Sequence, residues 1–358
     1  MTSPDIVYLG RSRLTRSRAN LIQMLHTASG FVQLGWRVRV YLPPWPRRMT
    51  LSAALEELDV NPAPEVVPAY SLHPRFKFHP FVWLNLRTLR AAPTLYTRVA
   101  GISLALARAR VPHHLEVHNL ERLIDQGVVS RVIKLQRSGM IRTLIPISEA
   151  AADRLIRAGA DPLRVHVAHS GVKLESYAKL PPFQPQNLDR PRIVHVGKLS
   201  PERGLAVFQY LAQRQQGEIT LVSADVCGIA NAVHLPAIPM RQVPARYALS
   251  DLILLPYQPR MPTVATMSPV KMFEAMAAGR PIIASDLPTL REVLRHEHNA
   301  LLVPPEDLAA WAQAIERLRS DRALAERLAL NARSDAQNYS WINRARGIAR
   351  AIGLTLTD

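Results

Sequence analysis

The sequence predicts an α/β protein built from two doubly wound, Rossmann-like domains facing a cleft. Three observations carry this: a length of 358 residues, two stretches of strand–loop–helix–strand grammar, and a proline-rich break between them. The length is the usual size of two domains and ample for two cores. In the first stretch, Asp5-Ile6-Val7-Tyr8-Leu9-Gly10 is an apolar run ending in glycine, which suits a buried parallel strand. A basic loop spans residues 11–18, and the periodicity predicts a helix over about 19–34 that stops at Gly35. Residues 38–43 read as the next strand. The grammar recurs with a strand at 192–197, a helix at 205–213 and a strand at 219–222. Residues 180–191 hold four prolines and no periodicity, so they read as a linker. This divides the chain into an N-terminal domain, 1–180, and a C-terminal domain, 190–335. A long Ala/Arg-rich helical tail is expected over 306–352.

Charge gives the first functional hint. The chain carries +17, and residues 1–180 hold 25 basic against 12 acidic residues while the remainder holds 20 against 16. Only six of the 45 basic residues are lysine, so part of the excess is an arginine bias in composition. A basic half still implies an anionic partner: nucleic acid, an anionic membrane or a phosphorylated substrate. Aromatics make up only 6%, and no helix-turn-helix, zinc-finger or RNP pattern occurs, so a nucleic-acid-binding protein is the rival reading and no nucleic acid is expected. No uncharged apolar run of 18 residues exists, and the first residues lack a secretory pattern, so the expected location is cytoplasmic. The single Cys227 can form neither an internal disulfide nor a zinc site alone. Asp-x-Asp, Gly-x-Gly-x-x-Gly, Walker and His-Glu-x-x-His patterns are missing, and the adjacent His113-His114 is no ligand set.

The strongest chemical signal runs over residues 268–286. A loop, Ser268-Pro269-Val270-Lys271, leads into Met272-Phe273-Glu274-Ala275-Met276-Ala277-Ala278, a Gly279-Arg280-Pro281 stop and a buried strand. A helix N-terminus offers free N–H groups to an anion, and Glu274 could accept hydrogen bonds from vicinal hydroxyls. This stretch resembles the nucleotide-sugar-binding segment of GT-B glycosyltransferases, especially the retaining family four (group 1) enzymes. There a helix carries the second glutamate of a Glu-x7-Glu motif, which binds the donor ribose. Glu274 matches it, whereas Thr266 stands at the first position. The resemblance places Thr266, Ser268, Val270 and Glu274 at the donor.

Three further stretches fall in the order this resemblance requires. Val196-Gly197-Lys198-Leu199-Ser200-Pro201-Glu202-Arg203-Gly204 resembles the loop that gives two cations to the donor diphosphate, with Gly197, Lys198 and Arg203 matching. A departing nucleoside diphosphate gains negative charge, so two cations favour the transition state over the ground state. Ile145-Pro146-Ile147-Ser148-Glu149 through His169-Ser170-Gly171-Val172 resembles the segment that closes the first domain. Leu115-Glu116-Val117-His118-Asn119 resembles the strand end whose histidine reaches the donor sugar, which makes His118 a catalytic candidate beside Lys198 and Arg203. On the acceptor side the candidates are Gly10, Arg11 and Arg18, although the family's frequent Gly-Gly loop is replaced there by Arg and Ser residues.

The resemblance implies transfer of a sugar from a nucleotide diphosphate donor, a UDP- or GDP-sugar, to a hydroxyl. The acceptor would be lipid-linked or a cell-surface polysaccharide precursor. It further implies retention by front-face attack assisted by the donor phosphate, no cofactor, and a C-terminal helix, about 336–358, crossing back to the N-terminal domain. With no Asp-x-Asp and two cations facing the leaving group, no metal is expected. The alternative within the fold is inversion with an N-terminal carboxylate such as Glu116 or Glu121 as base. Residues 73–90 interleave four Lys/Arg with Phe76, Phe78, Phe81 and Trp83. That composition suits headgroups on one side and acyl chains on the other, so docking on an anionic membrane, at the inner face, is expected. The plainer reading makes these aromatics core.

Overall fold

In the computed structural model, which describes residues 3–15, 19–73, 75–225 and 228–355, the first sheet is entirely parallel. Its strands are β1 (Ile6–Leu9), β2 (Val38–Leu42), β3 (Glu65–Pro68), β4 (Thr94–Thr97), β5 (His113–Val117) and β6 (Ile141–Pro146). Their order is β3-β2-β1-β4-β5-β6, so the winding reverses between β1 and β4. All four residues of β1 are buried, as expected of a strand with helices on both faces. One covering helix is Ala19–Gln33. Against it lies Trp341–Ala351, and a Cβ on Gly30 would stand 2.6 Å from the Trp341 carbonyl oxygen. Glycine is what lets these two backbones approach.

The second unit repeats the plan. Its strands are β7 (Arg192–Val196), β8 (Glu218–Val222), β9 (Ala232–Leu235), β10 (Ile253–Leu255), β11 (Ile282–Ser285) and β12 (Leu301–Val303). Two ladders, β7-β8-β9 and β10-β11-β12, are joined by a parallel bridge from Ile193 to Leu252. The resulting order, β9-β8-β7-β10-β11-β12, is again that of a doubly wound sheet. Successive strand residues feed opposite faces: Ile253 and Leu255 join a core with Phe273 and Met276, whereas Leu252 and Leu254 join one with Phe208 and Trp311.

The unit boundaries differ from those read in the sequence. The first unit ends at Ser170 and takes the chain back from Trp341 onward; the second is Gly171–Ser340. The proline-rich stretch is no free linker. It belongs to the second unit, where Leu188 is 1% exposed in the core and Asn187 donates to the Asp251 carboxylate at 3.0 Å. The expected single helical tail is three helices, Leu308–Ser320, Arg322–Asp335 and Trp341–Ala351. Asp321 breaks the first run by capping the second helix, its carboxylate accepting from the Leu324 N–H at 2.9 Å. Arg18 and Cys227 lie outside the described residues. Among the described residues, no helix is long and apolar enough to cross a membrane.

Candidate functional site

In the second unit, the chain leaves β7 through Gly197 at φ +117, a conformation that L side chains rarely adopt. A Cβ there would lie 2.4 Å from Lys271 Nζ, so the lysine ammonium occupies the space that a side chain would fill. Gly204, at φ +83, closes the same loop, and a Cβ on it would meet the Pro256 ring at 2.2 Å. Between them Leu199 is buried and anchors the loop, leaving Lys198 exposed and Arg203 half-buried. Helix Leu205–Gln213 then begins with no side-chain cap. Its Leu205 and Val207 N–H groups already donate to the Ser200 and Gly204 carbonyls, so the helix contributes its dipole to the positive character of the loop.

Helix Val270–Ala278 supplies the other half of this group. Pro269 precedes it, no side chain caps it, and every residue from Met272 to Ala278 is buried. Its end is fixed by Gly279 at φ +61 and by the buried Arg280, which donates to the carbonyls of Ala248, Ser250, Ala278 and Gly279. Arg280 is therefore a structural cation placed at two helix C-termini. Lys271 and Glu274 stand three residues apart on one helix face. Glu274 is 6% exposed, and among the described residues no hydrogen bond or ion pair satisfies its carboxylate. Burial pushes this carboxyl up to about 7, with Lys271 opposing. Burial and the nearby Arg203 push Lys271 down to about 8, with Glu274 opposing. His195, on β7, is held well below its ordinary value by burial and by the Lys271 charge, so it is neutral.

A buried carboxylate without a hydrogen-bond partner is costly unless a ligand completes it. Here the carboxylate can accept from a diol, while Lys271, Arg203 and the glycine-bounded loop offer positive charge to a diphosphate. Thr266 and Ser268 are buried in the loop before the helix, and Val270 starts it. The structure thus gathers Gly197, Arg203 and Glu274 around Lys271. Sequence reasoning did not assign Lys271 to the site. Its signal was present as the lysine of Ser268-Pro269-Val270-Lys271, one turn ahead of Glu274.

In the first unit, a crevice of about 290 Å³ is lined by the residues that follow β1, β4 and β5. This is the carboxyl edge of the sheet at its switch point, where doubly wound sheets bind ligands. Gly10 ends β1; a Cβ on it would lie 2.4 Å from Met24 Sδ, and Arg11 then turns into the crevice lining. His118 follows β5 and also lines it. Burial and the Arg98 charge push His118 down to about 3, while the Arg98 backbone carbonyl accepts a hydrogen bond from its ring. With one ring nitrogen donating, the other of a neutral imidazole is a lone-pair acceptor, suited to a hydroxyl.

Beneath this crevice Glu116 sits in a charge network of residues far apart in sequence. Its carboxylate is 2.9 Å from Arg344 and 3.4 Å from Arg98, and it accepts from the hydroxyls of Tyr96 at 2.8 Å and Tyr8 at 3.4 Å. Arg98 donates also to Gln23 and the Asn20 carbonyl, both at 2.5 Å. Arg344 donates to Thr27 at 3.0 Å and to the Ala168 and His169 carbonyls. Burial would raise the Glu116 pKa, but the two guanidiniums outweigh it and hold the group below its ordinary value. A base needs a free and basic carboxylate, and Glu116 is neither. Glu121 is bridged to Arg154 at 3.1 Å.

Comparison with known proteins agrees with the fold. Residues 190–321 match the family model described as glycosyl transferases group 1. The D-inositol 3-phosphate glycosyltransferase of Salinispora tropica is 27% identical over 58% of this chain and 50% of its own length. That of Streptomyces bingchenggensis is 26% identical over 69% of this chain and 62% of its own. The chain therefore spans only about half to three-fifths of these relatives. Among solved structures, Anabaena HepE in complex with UDP and glucose superposes with a TM-score of 0.72 at 19% identity, covering 98% of this chain and 99% of that one. Sucrose-phosphate synthase from Thermosynechococcus elongatus gives 0.73 at 17% identity, over 97% and 98%. Residues 190–321 thus match the group 1 glycosyltransferase model, in a chain whose fold is the GT-B fold of these solved structures.

Proposed function

We propose that this protein transfers a sugar from a nucleotide diphosphate sugar to a hydroxyl of an acceptor. One observation carries the reading: a buried carboxylate, Glu274, left without a hydrogen-bond partner one helical turn from Lys271 and close to the Gly197 loop. In this reading Glu274 holds the ribose diol, and Arg203, Lys198 and Lys271 neutralise the diphosphate as it leaves. UDP-sugars head the candidate donors, since HepE is described in complexes with UDP and with UDP-glucose; GDP-sugars follow. Three cations at the leaving group support catalysis without a divalent metal. Retention is favoured over inversion because Glu116 is pinned between two guanidiniums and Glu121 is bridged. The donor phosphate is then the natural proton acceptor, and the neutral His118 can accept a hydrogen bond from a hydroxyl in the first unit's crevice. Saturation-transfer NMR with UDP-, GDP- and ADP-sugars, followed by a donor-hydrolysis assay in excess EDTA, tests this. One nucleotide class should bind, and turnover should survive chelation; turnover lost to EDTA and restored by Mg²⁺ or Mn²⁺ would overturn the metal-independent form.

For the acceptor, the reading is a lipid-linked one, met by peripheral docking on an anionic membrane at the inner face. Phe81 is core, but Tyr70, Phe76, Trp83 and Leu84 expose 77, 52, 57 and 78% of their surfaces within one short segment. Four basic residues accompany them, each worth about 1 kcal/mol near such a surface. Flotation with anionic liposomes at low salt should carry the protein upward, and Trp83→Ala should reduce the floated fraction. A wild type that stays in the soluble fraction would refute the docking.

A further inference from the structure

The first unit has a second cavity, of about 430 Å³, for which the donor chemistry has no use. Five cations line it: Arg11 after β1, Arg75 and Lys77 ahead of helix Phe78–Leu84, Arg108 at the end of helix Ala100–Arg108, and Arg131 on helix Val129–Arg137. No carboxylate is in its lining. Among the described residues, none forms an ion pair with Arg75, Lys77, Arg108 or Arg131. Elsewhere the protein pairs its arginines freely, as with Arg37–Asp5, Arg39–Glu65 and Arg192–Asp251. Charges of one sign contributed by four separate elements repel one another, and an anion relieves that repulsion. Arg11 is fixed over the Phe78 ring at 4.5 Å from its centroid, and one of its guanidinium nitrogens is 3.5 Å from the Phe76 carbonyl. Burial and the charges of Arg122 and Arg13 lower its pKa, which marks the positive field around it. Arg11, Phe78 and Gly101 also line the His118 crevice, so the two spaces share a wall.

We propose that this five-cation cavity is a binding site for a phosphate or diphosphate group carried by the acceptor, whose reacting hydroxyl occupies the adjoining His118 crevice. The anion site stands on the cavity alone; its assignment to an acceptor rests on the transferase reading. A phosphate suits it because guanidiniums on several sides can engage three or more oxygens at once. The basic excess of the N-terminal half, and the Arg75–Lys77 motif in particular, then have a local purpose. The phosphate can come from a lipid or from a soluble phosphorylated sugar or cyclitol, since both present the same group.

Calorimetric titration of the full chain with inorganic pyrophosphate and, separately, with UDP tests the proposal. Arg108 and Arg131 are exposed, so Arg108→Glu/Arg131→Glu should fold, and Arg108→Gln/Arg131→Gln serves as a milder check. The expected result is at least a tenfold loss of pyrophosphate affinity in the Glu pair, a smaller loss in the Gln pair, and unchanged UDP affinity. Pyrophosphate binding that ignores both pairs and falls only with Arg203→Ala would overturn the site and leave the donor reading intact. Conversely, no nucleotide binding with a pyrophosphate affinity that depends on Arg108 and Arg131 would keep the anion site and sink the transferase reading. Vesicles identify the source. A preference for phosphatidic acid over phosphatidylglycerol at equal surface charge, lost in the Glu pair, assigns a lipid-borne phosphate. Pyrophosphate binding without that preference assigns a soluble one.

Discussion

Glu116 in the first unit and Glu274 in the second are both buried carboxylates, yet their surroundings give them opposite characters. Glu116 meets two guanidiniums and two phenols, and its pKa is held below the ordinary value. Glu274 has one lysine a turn away and no hydrogen bond among the described residues, and its carboxyl is pushed up to about 7. Burial is common to both; the partners differ. The first carboxylate is neutralised by two guanidiniums of its own chain and locks structure, with only its Oε1 lacking a hydrogen bond, whereas the second has a single lysine a turn away and is open to a ligand.

The largest effect that could break this contrast is at Glu116. Glu116→Ala would strand Arg98 and Arg344 in the interior without their counter-charge, which should cost about 3–5 kcal/mol of stability. Urea unfolding of the variant measures it, and a loss below about 1 kcal/mol would show that the network holds nothing together. At the other carboxylate the loss should fall on binding. Glu274→Ala and Arg203→Ala should each weaken nucleotide affinity by about 1.5–3 kcal/mol, roughly ten- to a hundred-fold, with the fold intact. Calorimetry that finds both variants unchanged would place the nucleotide elsewhere.

A smaller, pH-dependent effect sharpens the comparison. The folded-state pKa of Glu274, about 7, lies above its ordinary value of 4.5. Its contribution to stability is therefore fully present below pH 4.5 and is lost as the pH rises through 7. Glu274→Gln cannot ionise and escapes that loss. The variant should match wild type near pH 4.5 and be more stable at pH 8 by roughly 1–2 kcal/mol, less than the full shift because Lys271 loses its counter-charge. Thermal melts at the two pH values read the difference. A variant less stable than wild type at pH 8 would mean that the carboxylate is satisfied after all.

Both sheets could be read from the chain where strands are uniformly apolar, as at Ile6–Leu9, and where a glycine ends them, as at Gly197. The helix holding Glu274 was legible through its Gly-Arg-Pro stop. What escaped reading depended on distant residues or on short local geometry. Nothing near Glu116 in sequence announces Tyr8, Tyr96, Arg98 or Arg344, so its locked state was invisible and it passed for a candidate base. Phe81 and Trp83 look alike in sequence, yet on the short helix Phe78–Leu84 two residues turn about 200° apart, so one is core and the other exposed. The prolines of 180–191 hid Leu188 by removing periodicity, not by removing packing. The five-cation cavity escaped because its arginines come from four elements that only the fold assembles.

Arg344 has a consequence for how the protein is made. The partner that completes the Glu116 charge lies more than two hundred residues downstream, on helix Trp341–Ala351. A ribosome delivers Glu116, Arg98 and both tyrosines early and Arg344 only after the whole second unit has been synthesised. Until then the nascent first unit holds a carboxylate short of one cation and a helix, Ala19–Gln33, with the Gly30 groove uncovered. Its final consolidation must therefore wait for the second unit to emerge, which makes the first unit the earlier one to appear and the later one to mature.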